Sequence, residues 1–228
     1  MKNQQTMIAE NVRKIKERIE KICSSCGRNA DEITLIAATK GRTVQEIQIA
    51  YDAGIRDFGE NYYQEAMRKR ENAPPDIAWH FIGRIQSNKA KKIGSSFSMI
   101  HTIDRLDIAR LVARGAFEAG REVGVFIEVN IAEEPQKGGI FPKEVAFFAK
   151  RLYSLSGIRL KGLMTMGPAN LSAEGIRPFF KLMRELLEGL ELPGVNCLSM
   201  GMSDTYEVAI QEGATHVRIG TALFGKQS

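Results

Sequence analysis

Residues 34–42 read Thr-Leu-Ile-Ala-Ala-Thr-Lys-Gly-Arg, and this stretch decides between the two common folds in which strands and helices alternate. Its apolar part predicts a strand that is covered on both faces, as the strands of a parallel sheet are. In a doubly wound nucleotide-binding sheet, a glycine-rich turn would follow this first strand. Here Lys40, Gly41 and Arg42 follow it. The sequence therefore favours a closed α/β barrel over an open sheet.

The rest of the chain repeats the alternation of compact apolar runs and longer amphipathic stretches. Strands are predicted at residues 34–39, 56–59, 78–83, 98–101, 123–130, 159–165, 196–200 and 215–220. Helices are predicted at residues 9–22, 43–54, 105–119 behind Asp104, from Pro142 onward, 171–187, and 204–211 behind Ser203. Eight strands, each but the last followed by a helix, with one extra helix in front, predict a single (β/α)8 TIM barrel over residues 1–228.

Length and composition fit one barrel domain. The chain has 228 residues, 43% of them hydrophobic and 26% charged, and one barrel occupies roughly 200 to 250 residues. The N-terminus lacks the apolar core of a signal peptide, and no run of about 18 apolar residues occurs. We therefore expect a cytoplasmic protein with no membrane partner.

The charge does not indicate a nucleic-acid partner. The net charge of +5 is the small difference between 32 basic and 27 acidic residues. The one basic segment, Arg84, Lys89, Lys91 and Lys92, is predicted to lie on the helix after strand three. It lacks interleaved aromatic residues, on which single-stranded bases would stack. We interpret it as the solvated face of an outer helix.

The cysteines and histidines do not have the spacing of a metal site. Cys23 and Cys26 form a C-x-x-C pair at the predicted end of the first helix, and a closed zinc site would need two further ligands. His80, His101 and His216 belong to separate strands, so none forms a helical i, i+4 pair. We predict no metal, and interpret the histidines as packing residues of the core or rim, with His80 and His101 nearest the site.

Lys40 is the first candidate site residue. The strand before it would carry it to the carboxyl-terminal mouth of the barrel, where barrel enzymes place their chemistry. The apolar residues behind it are expected to remove part of the water around its amine, which could then attack a carbonyl carbon. Taken alone, Lys40 is also compatible with a strand-end lysine that reaches for solvent. The interpretation therefore depends on the other strand ends.

Two further strand ends have the chemistry for binding an anion. Residues 198–204 read Leu-Ser-Met-Gly-Met-Ser-Asp, where Gly201 allows a sharp turn and Ser203 precedes a predicted helix. Residues 217–221 read Val-Arg-Ile-Gly-Thr, where Gly220 allows close backbone approach and Thr221 offers a hydroxyl. Barrels commonly bind phosphate with the loops after strands seven and eight. The alternative is that these residues only form turns and cap a helix.

Distinctive blocks recur between about residues 35 and 225: Ala-Thr-Lys (38–40), Phe-Gly-Glu-Asn-Tyr (58–62), Gln-Glu (64–65), Trp-His-Phe-Ile-Gly (79–83), Gln-Ser-Asn-Lys (86–89), His-Thr-Ile-Asp (101–104), Gly-Leu-Met-Thr-Met (162–166), Leu-Ser-Met-Gly-Met-Ser-Asp (198–204) and Val-Arg-Ile-Gly-Thr-Ala-Leu-Phe-Gly (217–225). In these blocks the sequence closely resembles the pyridoxal phosphate homeostasis protein family, whose fold is like the N-terminal domain of alanine racemase.

The resemblance implies that the chain binds pyridoxal 5′-phosphate (PLP) as a covalent aldimine, a Schiff base, on Lys40. It implies that Ser203, Gly220 and Thr221 hold the phosphate and that Arg218 faces the pyridine nitrogen. Asn61 is placed near the ring, and Met202 completes the implied cofactor-binding set. It further implies a role in intracellular PLP (vitamin B6) homeostasis, with PLP sequestered, released and passed to PLP-dependent apo-enzymes.

Catalysis is not expected. An arginine opposite the pyridine nitrogen disfavours the protonated ring, and that ring is what makes PLP an electron sink. Racemisation also needs a second acid–base group, which in alanine racemase comes from a second domain, and we expect no such domain here. We therefore expect a monomeric binding protein. The alternatives are a PLP-dependent amino-acid racemase and an aldolase that uses Lys40 on a sugar phosphate.

Overall fold

A computed structural model describes residues 2–226, and its centre is a closed barrel of parallel strands in the order β1-β2-β3-β4-β5-β6-β7-β8. The strands are β1 (Thr34–Ala38), β2 (Asp57–Glu60), β3 (Ala78–Phe81), β4 (Met99–Ile103), β5 (Val123–Glu128), β6 (Ile158–Met164), β7 (Cys197–Ser199) and β8 (His216–Ile219). β1 pairs with both β2 and β8, which closes the barrel. The predicted barrel is confirmed.

Helices surround the barrel. They are α1 (Lys2–Ser25), α2 (Val44–Asp52), α3 (Tyr63–Arg70), α4 (Ser87–Ser96), α5 (Leu106–Glu118), α6 (Val145–Tyr153), α7 (Ala173–Glu188), α8 (Tyr206–Gln211) and α9 (Thr221–Phe224). Short 3-10 turns lie at Ala30–Glu32 and at Pro142–Glu144, the latter leading into α6. None of the helices in the described part of the chain has both the length and the apolar character needed to span a membrane.

The extra N-terminal helix α1 packs on the outside of the barrel. Its buried residues recur at helical spacing and face α2, α8 and α9: Ile8, Val12, Ile15, Ile19 and Ile22. Burying each such side chain contributes roughly 1.5–3 kcal/mol. Cys23 extends the same buried stripe, while Cys26 lies just beyond the helix and is exposed; both are free thiols. Between residues 2 and 226, no cluster of three or more His, Cys, Asp or Glu side chains could hold a metal ion.

Two predicted helix starts are wrong. Ser203 does not cap α8, which begins three residues later at Tyr206; its hydroxyl instead accepts a hydrogen bond from the Ala222 backbone N–H, 3.1 Å away. Asp104 does not cap α5, because its carboxylate accepts from the Gly139 N–H at 3.3 Å. In both cases a contact distant in sequence has replaced the local one.

Other differences are smaller. The last strand is followed by a helix after all, the four-residue α9. α1 is longer than predicted, α7 begins at Ala173 with Ser172 as its cap, and α3 had not been assigned a range. Arg84 lies in the loop before α4 rather than on it. By contrast, the predicted start of α2 is close to the observed one, because Thr43 caps α2, accepting from the Glu46 N–H at 3.2 Å while Glu46 accepts from Thr43.

The interior of the barrel is unusually polar. TIM barrel interiors are normally filled by branched apolar side chains. Here the buried residues enclosed by the strands include three histidines, an arginine and a serine beside Ile36, Phe126 and Met164. The polar members come from β3, β4, β7 and β8, and they contact one another across the barrel. This polar layer lies beneath the mouth at which the candidate site is found.

Candidate functional site

The predicted site residues come together at one end of the barrel. Lys40 follows β1, Asn61 follows β2, Met202 and Ser203 follow β7, and Gly220 and Thr221 follow β8. Because β1 is hydrogen-bonded to β2 on one side and to β8 on the other, Lys40 lies between Asn61 and Gly220. The carboxyl ends of all these strands form a single mouth, as the sequence predicted.

Lys40 lies at the rim of this mouth. Its side chain is exposed, so the expectation that the apolar strand would remove water from the amine is not borne out. Its Nζ atom lies 5.5 Å from the centre of the Tyr62 ring, within the range of a cation–π contact. Tyr62 was not selected from the sequence as a site residue, although it belongs to the Phe-Gly-Glu-Asn-Tyr block.

The backbone on both sides of Lys40 is held by a buried ionic network. Lys69 of α3 donates to the Thr39 carbonyl oxygen at 2.6 Å, to Glu60 at 2.5 Å and to Glu65 at 2.7 Å. Glu65 also accepts from the Gly41 N–H at 2.7 Å. The residues before and after Lys40 are therefore both tied to α3, which limits where the amine can go.

Glu60 is the costly member of this network. It is fully buried, and its Oε2 has no hydrogen-bond partner in the described part of the chain. Burial raises the pKa of Glu60, and the hydrogen bonds from Lys69 and Thr39 act in the opposite direction. Sequence reasoning missed this network; its only local signal was the i, i+4 spacing of Glu65 and Lys69.

The loops after β7 and β8 meet at Ser203. The hydrogen bond from Ala222 to the Ser203 hydroxyl joins the two loops directly. Gly201 makes the first loop possible, because it has a φ of +92° and a Cβ there would lie only 2.5 Å from the Ala209 Cβ. α9 begins at Thr221; its second N–H group, that of Ala222, donates to Ser203, and the next two donate to the Gly220 carbonyl oxygen. The two loops thus form one polar corner beside Lys40.

Asn61 is set in place by close backbone packing. A Cβ at Gly83 would come within 2.1 Å of the Asn61 carbonyl oxygen. Only glycine therefore lets the end of β3 approach the end of β2 this closely. Asn61 is partly buried and lines a cavity of about 640 Å3 together with Tyr62 and Arg84.

Arg218 reaches the mouth from inside the barrel. It is buried, with a hydrogen bond from Nη1 to the Ser199 hydroxyl at 2.5 Å and one from Nη2 to the Thr165 carbonyl oxygen at 2.9 Å. Burial lowers the pKa of Arg218 to about 10, and the charge of Glu128 acts in the opposite direction. The guanidinium is therefore still positively charged at neutral pH.

Glu128, at the end of β5, is a site residue that the sequence did not reveal. Burial, and next the negative charge of Asp104, raise its pKa to about 7, while Arg218 and Arg84 oppose that rise. Glu128 lines a cavity of about 330 Å3 with Thr165, Met166 and Met202. The sequence placed Glu128 inside the predicted strand 123–130, whereas β5 ends at Glu128.

Comparison with known proteins gives one consistent answer. The model of the family described as "Alanine racemase, N-terminal domain" matches residues 6–228. The pyridoxal phosphate homeostasis protein of Pseudomonas aeruginosa is 42% identical over 219 residues, which cover 96% of this chain and 95% of that protein. The protein of the same name from Escherichia coli K12 is 40% identical, with 96% of each chain covered.

A solved structure extends the comparison to the fold. PipY of Synechococcus elongatus PCC7942, solved with PLP bound, matches with a TM-score of 0.78 and 34% identity. The match covers 91% of this chain and 100% of PipY. On these matches, this chain belongs to the pyridoxal phosphate homeostasis protein family, within the larger family of alanine racemase N-terminal domains.

Proposed function

We propose that this protein binds PLP covalently through Lys40 and takes part in PLP homeostasis by sequestering and releasing the cofactor. The observation that carries the proposal is the convergence of an amine, an anion-binding corner and a buried cation at one barrel mouth. PLP has three groups to match: an aldehyde, a phosphate and a pyridine nitrogen. The binding of PLP by the related PipY supports the same assignment.

Lys40 supplies the amine in this proposal. When bound, PLP supplies an aldehyde carbon that condenses with an amine, forming a C=N bond with loss of one water, and the reverse reaction with water breaks that bond. The network of Lys69, Glu60 and Glu65 holds the backbone beside Lys40. Tyr62 lies against the amine from the rim. Because the bond is reversible, the same residue can capture the cofactor and release it.

Ser203, Gly220 and Thr221 are proposed to hold the phosphate. The Ser203 oxygen already accepts a hydrogen bond from Ala222, so its own proton can be donated to an anion. Gly220 and Thr221 directly follow β8, and the hydrogen bond from Ala222 to Ser203 joins this stretch to the loop after β7. Met202 lies on the edge of the neighbouring cavity. These groups can bind an anionic ester without a metal ion.

Arg218 and Asn61 are proposed to contact the ring, with Arg218 at the pyridine nitrogen. Since Arg218 remains a cation at neutral pH, it disfavours a proton on that nitrogen. This is the property that would keep bound PLP a poor electron sink and favour storage over catalysis. Relatives in this family are named for homeostasis rather than for an enzymatic reaction. Delivery of PLP to apo-enzymes is part of the same proposal.

The test is the absorbance spectrum of the purified protein after incubation with PLP. Wild type should show a yellow chromophore, and borohydride should bleach it and leave the cofactor on the peptide containing Lys40. Lys40→Ala should lack this species, whereas Lys89→Ala, which removes a lysine from the adjacent cavity, should retain it. A reducible chromophore that persists in Lys40→Ala would overturn the assignment.

A further inference from the structure

A continuous chain of hydrogen bonds crosses the barrel interior and ends at Arg218. The Asp57 carboxylate lies 2.9 Å from His80 Nε2, and His80 Nδ1 lies 2.9 Å from His101 Nε2. His101 Nδ1 lies 2.8 Å from the Ser199 hydroxyl, which accepts from Arg218 Nη1 at 2.5 Å. We call these five residues the interior relay. It joins the amino end of β2 to the candidate site.

The two ends of the interior relay determine the direction of every bond within it. A guanidinium can only donate, so the Ser199 oxygen accepts from Arg218; when both histidines are neutral and His80 donates to the Asp57 carboxylate, the Ser199 proton goes to His101 Nδ1. His101 must then carry its proton on Nε2 and donate it to His80 Nδ1. His80 likewise donates from Nε2 to Asp57, whose carboxylate can only accept. When both histidines are neutral, only one assignment of the protons satisfies all four hydrogen bonds.

Burial favours the neutral form of His101. His80 and His101 are nearly or fully buried, at 2% and 0% exposure. Burial, then the neighbouring His80, His216 and Arg218, lower the pKa of His101 well below its usual value. His216 lies beside the relay rather than in it, since its Nδ1 bonds to the Thr215 hydroxyl at 2.8 Å. Phe126 stacks on His101 with ring centres 4.5 Å apart and closes that side.

Asp57 differs from the other relay members because it reaches solvent. Its side chain is 32% exposed, against 2% for His80, and it lies at the first residue of β2, at the opposite end of the barrel from the mouth. A carboxylate at that end and a cation at the site end polarise the intervening groups in the same sense. The contact that orients Arg218 therefore depends on a residue remote from the site.

We propose that Asp57, His80, His101 and Ser199 are positioning residues, which orient Arg218 for its contact with the cofactor ring. They do so through a chain of hydrogen bonds that all donate in the direction from Arg218 to Asp57. This inference rests on the proposed function, in which Arg218 faces the pyridine nitrogen. The direction of the relay is nevertheless a property of the protein itself. It can be measured without any cofactor.

The first test is the proton position on each histidine. The chain has only three histidines, so 15N spectra of the histidine-labelled full-length protein at pH 7.5 can be assigned with single histidine variants. We expect His80 and His101 both to be neutral with the proton on Nε2, before and after PLP is added. A proton on Nδ1 of either ring, or a doubly protonated ring, would overturn the relay.

The second test is the binding of PLP to variants at both ends of the relay. Ser199→Ala and Asp57→Ala should each weaken PLP binding by about tenfold, as loss of a charge-assisted bond does, and should shift the absorbance maximum of the bound cofactor. Asp57→Asn keeps an acceptor oxygen and should stay within about twofold of wild type. Asp76→Asn is the matched control, because Asp76 is an exposed carboxylate that bonds to Tyr51 outside the relay.

The outcomes separate this inference from the proposed function. If wild type forms the Lys40 chromophore but both alanine variants match it in affinity and spectrum, the relay has no positioning role, whatever their thermal stability. If wild type forms no such chromophore, the proposed function fails, while the histidine spectra still decide the direction of the relay. A shift in Asp57→Ala that Asp57→Asn restores is the result expected of a positioning residue.

Discussion

Replacing Glu128 by glutamine should stabilise the protein at high pH and leave its stability nearly unchanged at low pH. Burial, and next Asp104, raise the pKa of Glu128 from its usual value near 4.5 to about 7, against the opposing charges of Arg218 and Arg84. Between these two pKa values, the unfolded chain gives up its proton while the folded protein keeps it. The wild-type carboxyl therefore contributes stability that is complete below about pH 4.5 and is lost as the pH rises through 7.

The size of the effect follows from the same two values. At about 1.36 kcal/mol for each pH unit, the interval from 4.5 to about 7 corresponds to roughly 3 kcal/mol in full. Part of this stability is already lost below pH 5. Between pH 5 and pH 8, the free energy of unfolding of Glu128→Gln should therefore rise by about 2 kcal/mol relative to that of wild type. Glutamine keeps the size of the side chain, so packing is not altered.

Urea denaturation at a series of pH values measures this directly. The single tryptophan, Trp79, is buried at 3% exposure and reports unfolding by its fluorescence. Glu133→Gln is the control, because Glu133 is an exposed carboxylate on the loop after β5; its difference from wild type should be the same at pH 5 and pH 8. A difference between Glu128→Gln and wild type that stays constant or narrows as the pH rises would refute the reasoning.

Two other substitutions test the parts of the site that hold Lys40 and the phosphate. Lys69→Met should lower the free energy of unfolding, measured with urea, by about 3–5 kcal/mol, because it leaves the buried carboxylate of Glu60 without its cation. Lys92→Met, at an exposed position on α4, should change the free energy of unfolding by less than about 0.5 kcal/mol. Equal effects of the two substitutions would contradict the role given to Lys69. Ser203→Ala should weaken PLP binding by about tenfold while leaving the binding of pyridoxal, which has no phosphate, unchanged; an equal loss for both ligands, measured by absorbance titration, would show that Ser203 does not contact the phosphate.

The barrel could be predicted because its signals are local. Each strand is a compact apolar run, and residues 34–42 exclude the glycine-rich turn of the competing fold. The same reasoning located Lys40, since the residue that follows a barrel strand is necessarily at the mouth. α9 was missed because four residues are too few to show a helical period.

The partners of the site residues could not be predicted, because they are distant in sequence. Ser203 has the local pattern of a helix cap, and only the fold brings it to Ala222, 19 residues away. Lys69 looks like an ordinary helix lysine until the barrel places it against Glu60 and the Thr39 carbonyl oxygen. The sequence placed His80 and His101 on two strands of the barrel, but a single sequence contains no signal for the bond between them. Side-chain partners between strands depend on barrel register, which local patterns do not specify.

Both networks beneath the mouth bury charged or polar groups, and this burial costs folding free energy. Lys69 and Glu60 form a buried ion pair behind Lys40, and the interior relay brings two histidines and a guanidinium into a space that branched apolar side chains normally fill. Well-packed apolar residues often replace buried ionic groups with no loss of stability, or with a gain of about 1–4 kcal/mol. Stability alone therefore gives no reason for either network. One network binds the backbone on both sides of Lys40 and the other ends on Arg218. Lys40 and Arg218 are the residues that we assign to the amine and the cation of the cofactor site. We infer that the barrel gives up stability at these two places in order to hold its amine and its cation in fixed positions.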